Sequence, residues 1–99
     1  MLDSPQISDF QPFVNQTLQI RFRLPDATLS AELIEVTELV SHPGSPRLPF
    51  SIILRTSQKG EYYQQAIYTL LHPDKGELEV FMVPIGPDEK GMRYQAIFN

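Results

Sequence analysis

Turn-forming residues interrupt this chain so often that they leave little room for long helices. Nine prolines and five glycines are spread over 99 residues. The apolar runs between these breaks recur roughly every 8–12 residues, a spacing typical of all-β sandwiches and barrels. The length suits one hydrophobic core and no second one. The sequence therefore predicts a single all-β domain over residues 1–99.

Six of these runs predict β-strands. The clearest is "TLQIRFR", in which Leu18, Ile20 and Phe22 alternate with polar residues, as in a half-buried strand. The other predicted strands cover residues 28–40, 50–56, 62–71, 78–83 and 92–98. We expect them to form a six-stranded antiparallel meander that closes into a small barrel or a sandwich.

The second predicted strand, "TLSAELIEVTELV", also fits a helix. Its apolar residues recur at helical spacing at Leu29, Leu33, Val36 and Val40. As a strand it requires a β-bulge near Leu33–Ile34, where the inward-facing phase switches. We interpret it as a strand, because a long antiparallel partner suits the strands on either side.

The stretch "LEVFMVPIG" is apolar on both faces of its predicted strand. Leu78, Val80 and Met82 lie on one face, and Phe81, Val83 and Ile85 lie on the other. Ahead of the first strand, "SDFQPFV" predicts a short helical turn with Ser8 as its N-cap. We expect the apolar residues of this turn to cover an open barrel end or the second face, and a partner chain is the alternative.

The predicted core combines the inward positions of all six strands. We expect it to include Leu18, Ile20, Phe22, Leu33, Val36, Ile52, Leu54, Ile67, Leu78, Val80, Phe81, Val83, Ala96 and Phe98.

Composition excludes several classes of function. The net charge is −4 and the eight basic residues are scattered, which argues against nucleic-acid binding. The chain has no cysteine, so it forms no disulfide, thiolate nucleophile or cysteine-bound metal site. It has no run of ~18 apolar residues that would span a membrane. Its first residues do not resemble a signal peptide, so a cytoplasmic location is the default expectation.

No pattern of residues predicts catalysis. His42 and His72 are the only histidines, and each precedes a proline in a turn-like stretch. A metal site would require them to meet around a carboxylate, and only Asp74 is near His72 in sequence. We therefore expect a structural hydrogen bond from His72, solvated charges at Asp88 and Glu89, and no metal or cofactor.

Exposed aromatic residues provide the candidate interaction sites. Tyr62 and Tyr63 are adjacent on a predicted strand, so at least one ring leaves the core. Tyrosine suits an interface, although cross-strand packing is the alternative. The candidate interface residues are Tyr62, Tyr63, Phe50, Phe81, Val83 and Ile85.

The C-terminal third of the chain resembles a small bacterial domain family of unknown function. The shared pattern is Tyr-x-Leu-x-His-Pro, then Leu-x-Leu-Phe-x-Val-Pro-Ile/Val-Gly, then Tyr-x-Ala-x-Phe-Asn, with Val80 in place of the common leucine. The matching residues are Tyr68, Leu70, His72, Pro73, Gly76, Leu78, Phe81, Val83, Pro84, Gly86, Tyr94, Ala96, Phe98 and Asn99. The resemblance implies a compact β-rich domain. It brings no catalytic residues, because none are established for the family, whose members are thought to occur near phage-tail-like genes.

Three functions fit these observations. The first is a non-enzymatic interaction or assembly module of a phage-tail-like or other bacterial complex, with a protein partner or a second copy bound. The second is a small-ligand-binding barrel, which requires a cavity between the sheets. The third is an enzyme, which requires a cleft that brings His42 or His72 to a carboxylate and a hydroxyl.

Overall fold

Six antiparallel strands form a closed barrel in the computed structural model, which describes residues 5–40, 44 and 49–98. The strands are β1 (Thr17–Phe22), β2 (Ala27–Glu38), β3 (Phe50–Thr56), β4 (Ala66–His72), β5 (Gly76–Pro87) and β6 (Met92–Phe98). Two 3₁₀ turns, Ile7–Asp9 and Gln11–Phe13, precede β1. The predicted six-stranded antiparallel barrel with an N-terminal helical turn is confirmed.

The strand order around the barrel is β1-β2-β3-β6-β5-β4, and β1 pairs with β4 to close it. The predicted meander is therefore wrong at one step, because β3 pairs with β6 and not with β4. Since β3 and β4 are not neighbours, residues 57–65 must cross one end of the barrel to connect them. We call this end, at which β1, β3 and β5 finish, the loop end.

The ambiguous second segment is a strand with a bulge. Along β2, Leu33 pairs with Leu54 and Glu35 pairs with Ile53, so Ile34 is an extra residue. This confirms both the strand interpretation and the bulge predicted near Leu33–Ile34. The bulge corrects the phase of β2, because Val36 then lies opposite Ile52, a core residue of β3.

Two strand boundaries differ from the prediction by four residues, and the others by two or fewer. The fourth strand begins at Ala66, so residues 62–65 belong to the crossing connection. The fifth extends through Pro87, with a register shift between Pro84 and Gly86, where the sequence predicted a loop. Gly86 has a φ of 106°, a conformation that glycine adopts without strain and that allows the strand to continue past the shift.

The inward faces of the six strands form one core. Its buried apolar residues are Phe10, Leu18, Ile20, Phe22, Ala31, Leu33, Phe50, Ile52, Leu54, Tyr68, Leu70, Val80, Met82, Met92, Tyr94 and Ala96. Of the other predicted core residues, Val36, Leu78 and Phe98 are half-buried against it.

Three predicted core residues lie on the outer wall. Val80 and Met82 face inward along β5, so Phe81 and Val83 face outward. Ile67 lies opposite Phe81 in the register and shares its face. The exposed fractions are 49% for Ile67 and 50% for Phe81. Both faces of β5 are thus apolar, and only one of them lines the core.

The N-terminal turns close the end of the barrel opposite the loop end. The Phe10 ring is fully buried and lies 5.4 Å from Phe98 and 5.2 Å from His72, between ring centroids. Ser8 is not the N-cap, because the N-cap is Gln6, two residues earlier, whose N–H donates to the Asp9 carboxylate at 2.8 Å. The sequence predicted that this turn covers either an open barrel end or the second face of β5, and Phe10 closes a barrel end.

Candidate functional site

Three connections meet at the loop end. They are the β1–β2 hairpin (residues 23–26), the β3–β4 loop (57–65) and the β5–β6 loop (88–91). Antiparallel pairing places all three there, since β1, β3 and β5 run in the same direction. Loops carried on a rigid scaffold are common locations for binding sites.

Tyr63 fixes the β3–β4 loop across the barrel. Its ring stacks on Phe22 with 4.2 Å between centroids and 9° between planes. Its hydroxyl donates to the Pro25 carbonyl at 2.8 Å, which ties the loop to the hairpin. Its backbone N–H donates to the Tyr94 hydroxyl at 2.9 Å. Tyr63 therefore covers the core at the loop end.

Buried tyrosine hydroxyls hold the rest of this loop. The Tyr94 O–H donates to Gln58 Oε1 at 2.7 Å, and Thr56 Oγ1 donates to the same atom at 2.9 Å. The Tyr68 O–H donates to the Gln64 carbonyl at 2.6 Å. Burial raises the pKa of both Tyr94 and Tyr68, so the two phenols stay protonated as donors. The loop is thus held in place before any ligand binds.

A groove of about 840 Å³ lies between the hairpin and this loop. We call it the hairpin–loop groove. It is lined by Arg23, Leu24, Pro25, Ala27, Leu29, Ser57, Gln58, Lys59, Glu61, Tyr62, Tyr63, Gln64, Gln65, Ala66 and Tyr68. Its volume falls within the ~300–1,000 Å³ that is usual for ligand sites. The groove lies at the end of the barrel, outside the interior that the core side chains fill.

Two exposed apolar side chains border the groove. Leu24 is 93% exposed and Tyr62 is 59% exposed. Leu24 also has a φ of 64°, a left-handed conformation that is unfavourable for a residue with a Cβ. Exposed apolar groups and backbone strain both concentrate at binding sites. Leu24, at the hairpin tip, combines both features.

The groove carries two positive charges without carboxylate partners among the described residues. Arg23 Nη2 donates to the Ile67 carbonyl at 2.6 Å, and Lys59 Nζ donates to the Glu89 carbonyl at 2.8 Å. Carbonyl groups accept these hydrogen bonds but do not neutralise the charges. Glu61 is the one acidic residue in the lining, so the groove is net positive although the whole chain is at −4.

His72 has the structural role that the sequence predicts. Its Nδ1 accepts the N–H groups of Asp74 at 3.0 Å and Lys75 at 3.1 Å. The Nε2 proton is therefore donated to the Asp9 carbonyl, at 2.7 Å. His72 lies at the end of the barrel away from the groove, and His42 lies outside the described residues. Within the described part of the chain, no group of three or more His, Cys, Asp or Glu residues is arranged to hold a metal ion.

The Asp88 side chain is held by hydrogen bonds and an ion pair, whereas the sequence predicted a solvated charge. Its carboxylate accepts a hydrogen bond from Arg55 Nη1 at 2.8 Å, and the N–H groups of Lys90 and Gly91 bind the other oxygen. The Arg55 guanidinium is the main cause that holds the pKa of Asp88 at about 2, below its ordinary 3.8. Arg55 also binds Glu32 at 2.6 Å. This network fixes the β5–β6 loop against β2 and β3.

The structure separates the predicted interface residues into three places. Tyr62 and Tyr63 lie together in the groove lining. The outer face of β5 carries Phe81 and Val83, and Ile85 is the unpaired residue at the register shift; all three are exposed or half-buried outside that lining. Phe50 is 1% exposed and stacks on Phe98 at 4.7 Å, so it belongs to the core and does not reach a partner.

Sequence reasoning missed the hairpin side of the groove. It gave no role to Leu24 or Arg23. No signal was available for Leu24, because it follows Phe22 by two residues and so continues the inward-facing phase of β1. Lys59 carried no signal either, because its position depends on how the loop crosses the barrel.

Comparison with known proteins identifies a family but no activity. No curated protein and no solved structure matches the chain. None of the helices among the described residues is long and apolar enough to cross a membrane. A family model described as "Domain of unknown function (DUF6916)" matches residues 5–98, nearly the full length of the barrel chain. This chain therefore belongs to the DUF6916 family of domains of unknown function.

Proposed function

We propose that this domain is a non-enzymatic protein-interaction module, an adaptor or assembly component, and that it binds its partner in the hairpin–loop groove. One observation carries the proposal. The groove joins a 93% exposed leucine, Leu24, and a 59% exposed tyrosine, Tyr62, to a loop that internal hydrogen bonds already hold in place.

Preorganisation is what makes this surface suitable for binding. A loop that is ordered in the free protein loses little conformational entropy on association. Tyrosine adds a large contact area with few rotatable bonds, and Arg and Tyr are enriched at interface centres. Arg23 and Tyr62 lie in the same lining, next to an exposed leucine.

A small ligand is the second candidate, because the groove volume suits one. We favour a protein partner because the groove is open and its most exposed border is apolar, which fits a large complementary surface better than an enclosed molecule. The enzyme hypothesis has less support, since His72 is 4% exposed and both of its ring nitrogens are occupied by backbone groups.

Site-specific photo-crosslinking in the native cells tests the proposal. A photoreactive phenylalanine analogue replaces Tyr62 in the full chain, and a matched control carries it at Ile97, which is 54% exposed on the outer wall. We expect one protein to crosslink from position 62 and not from position 97.

The crosslinked protein is then purified and titrated against the domain by calorimetry. Leu24→Asn should weaken binding at least tenfold, because it removes the exposed apolar contact. Asparagine tolerates positive φ, so the fold should be unaffected. Equal affinity for Leu24→Asn and wild type would contradict the proposal. A small molecule that copurifies with the wild type and is lost in Leu24→Asn would favour the second candidate.

A further inference from the structure

Among the strands that the structure describes, none covers one edge of the first residues of β2. Residues 27–32 of β2 pair with β1, whereas pairing with β3 begins only at Ala31. Residues 27–30 therefore have one paired edge and one free edge. Strand stagger in a closed barrel produces such overhangs at its ends.

The direction of the hydrogen bonds identifies the free groups. Leu33 N–H donates to the Gln16 carbonyl at 2.9 Å, so the backbone of Leu33 faces the β1 side. Because the bonding direction alternates along an antiparallel strand, the amides and carbonyls of Thr28 and Ser30 face away from β1. Among the described residues, no hydrogen bond joins these groups to the β3–β4 loop, and both residues are exposed.

A local turn at the end of β3 explains the gap. The Gln58 N–H donates to Thr56 Oγ1 at 3.3 Å, which bends the chain directly after Thr56. The Thr56 carbonyl packs against Gly91, where a Cβ would overlap it. Lys59 then donates to the Glu89 carbonyl at 2.8 Å, which ties the loop to the β5–β6 connection. The loop is thus drawn toward the β5–β6 connection and away from the β2 edge.

The space that this leaves is the hairpin–loop groove. Ala27 and Leu29, whose side chains alternate with those of Thr28 and Ser30, line its floor. An extended chain paired to the free edge would continue the barrel wall at the point where β3 leaves it. Its inward side chains would contact Leu29 and Tyr62.

From this arrangement we infer that the groove binds an extended segment of a partner protein, which adds as a strand to the edge of β2 at Thr28 and Ser30. The inference rests on the proposed function and specifies its partner. Main-chain hydrogen bonds give affinity in this mode, and pockets for alternate side chains give specificity.

Charge defines the partner segment further. Arg23 and Lys59 line the groove without carboxylate partners among the described residues, so the segment should carry an acidic side chain between apolar ones. Glu61 in the same lining disfavours a run of acidic residues. A second copy of this chain is a poorer occupant, because two-fold pairing of the same edge would place Arg23 and Lys59 in one interface with their own copies.

Selection from a displayed library of random nonapeptides tests the inference on the full chain. We expect the recovered peptides to alternate apolar and acidic residues. A selected peptide is then synthesised with a fluorophore and titrated by anisotropy against Ser30→Pro, which removes the edge N–H, and against Ser30→Ala, which keeps it. Proline is tolerated on a free edge, so the fold should persist. Ser30→Pro should weaken binding at least tenfold, and Ser30→Ala should stay within twofold.

A modified peptide keeps the test independent of the variant's folding. Methylation of the backbone nitrogens on one edge of the peptide should also weaken binding to the wild type at least tenfold. Methylation of those on the other edge should not.

The outcomes separate this inference from the proposed function. If peptide binding persists in Ser30→Pro and after methylation of either peptide edge but is lost in Leu24→Asn, strand addition is overturned. The groove then remains the interaction site. Binding unaffected by all these changes would contradict both, and recovery of no peptide would overturn strand addition alone. A dimer of the free protein that Ser30→Pro abolishes would assign the edge to a second copy and overturn the inference.

Discussion

The Tyr94 hydroxyl allows a direct test of how the groove is held together. Tyr94 is fully buried, and its oxygen bonds to two groups of the β3–β4 loop, the Tyr63 N–H at 2.9 Å and Gln58 Oε1 at 2.7 Å. The substitution Tyr94→Phe removes this oxygen and preserves the ring, which also packs 5.3 Å from Phe22. The change therefore isolates the hydrogen bonds from the packing.

The expected cost follows from what each partner loses. Gln58 Oε1 keeps the Thr56 hydroxyl as a donor, so it stays satisfied. The Tyr63 N–H loses its acceptor, and an unsatisfied donor away from water costs about 1–3 kcal/mol. We therefore expect the free energy of unfolding to fall by about 2 kcal/mol. For a chain of this length, that lowers Tm by about 8–16 °C.

Denaturant titration and thermal melting followed by circular dichroism measure this cost. Tyr68→Phe is the matched control, because its hydroxyl donates to the Gln64 carbonyl, which lies on an exposed residue and regains a water. We expect the control to lose less than about 1 kcal/mol. Amide exchange of Tyr63 should accelerate in Tyr94→Phe alone. Equal costs for the two variants, or an unchanged exchange rate at Tyr63, would refute the assignment of Tyr94 as the anchor of the loop.

Three further predictions concern other parts of the barrel. Gly91→Ala should destabilise the fold by about 3 kcal/mol or more in chemical denaturation, because the new Cβ would overlap the backbone carbonyl of Thr56; a loss below 1 kcal/mol would contradict it. Asp88 has a pKa depressed to about 2, so its contribution to stability is complete above pH 3.8 and lost as the pH falls toward 2. Asp88→Asn should lack this part of the acid titration, and a stability difference from wild type that stays constant between pH 5 and about 2 would contradict this role of Asp88. In the same assay, Phe81→Thr should lower the free energy of unfolding by about 0.5 kcal/mol or less and Met82→Thr by about 2–5 kcal/mol, since only Met82 faces the core. Similar losses for the two variants would contradict the assignment of Met82 to the inner face of β5 and Phe81 to the outer face.

Alternation and turn chemistry predicted most of the barrel wall from the sequence. "TLQIRFR" fixed the inward face of β1 because its apolar and polar residues alternate without exception. The bulge in β2 was predictable because the apolar phase of that segment cannot be inward throughout without an extra residue. These features depend on residues close in the chain, which is the range over which sequence patterns carry information.

The strand order and the face of β5 could not be predicted in the same way. Phe81 and Met82 are both large and apolar, and the choice between them depends on the register with β4 and β6. Phe50 is a candidate interface residue from its place after a proline-rich stretch, yet Phe10 and Phe98 pack against it in the core. Each of these outcomes depends on contacts between residues far apart in sequence.

The groove could not be predicted either, because it arises from the closure of the barrel. Stagger extends β2 beyond the end of β3, and the turn at Thr56 directs the loop away from that overhang. The same loop must still cross the end of the barrel to reach β4, and Tyr63 anchors it there on Phe22. One connection thus closes the core and leaves the edge at Thr28 and Ser30 open. Exposed strand edges invite pairing, and proteins usually cover or shorten them, so this open edge beside the preformed groove is the feature on which the proposed strand addition rests.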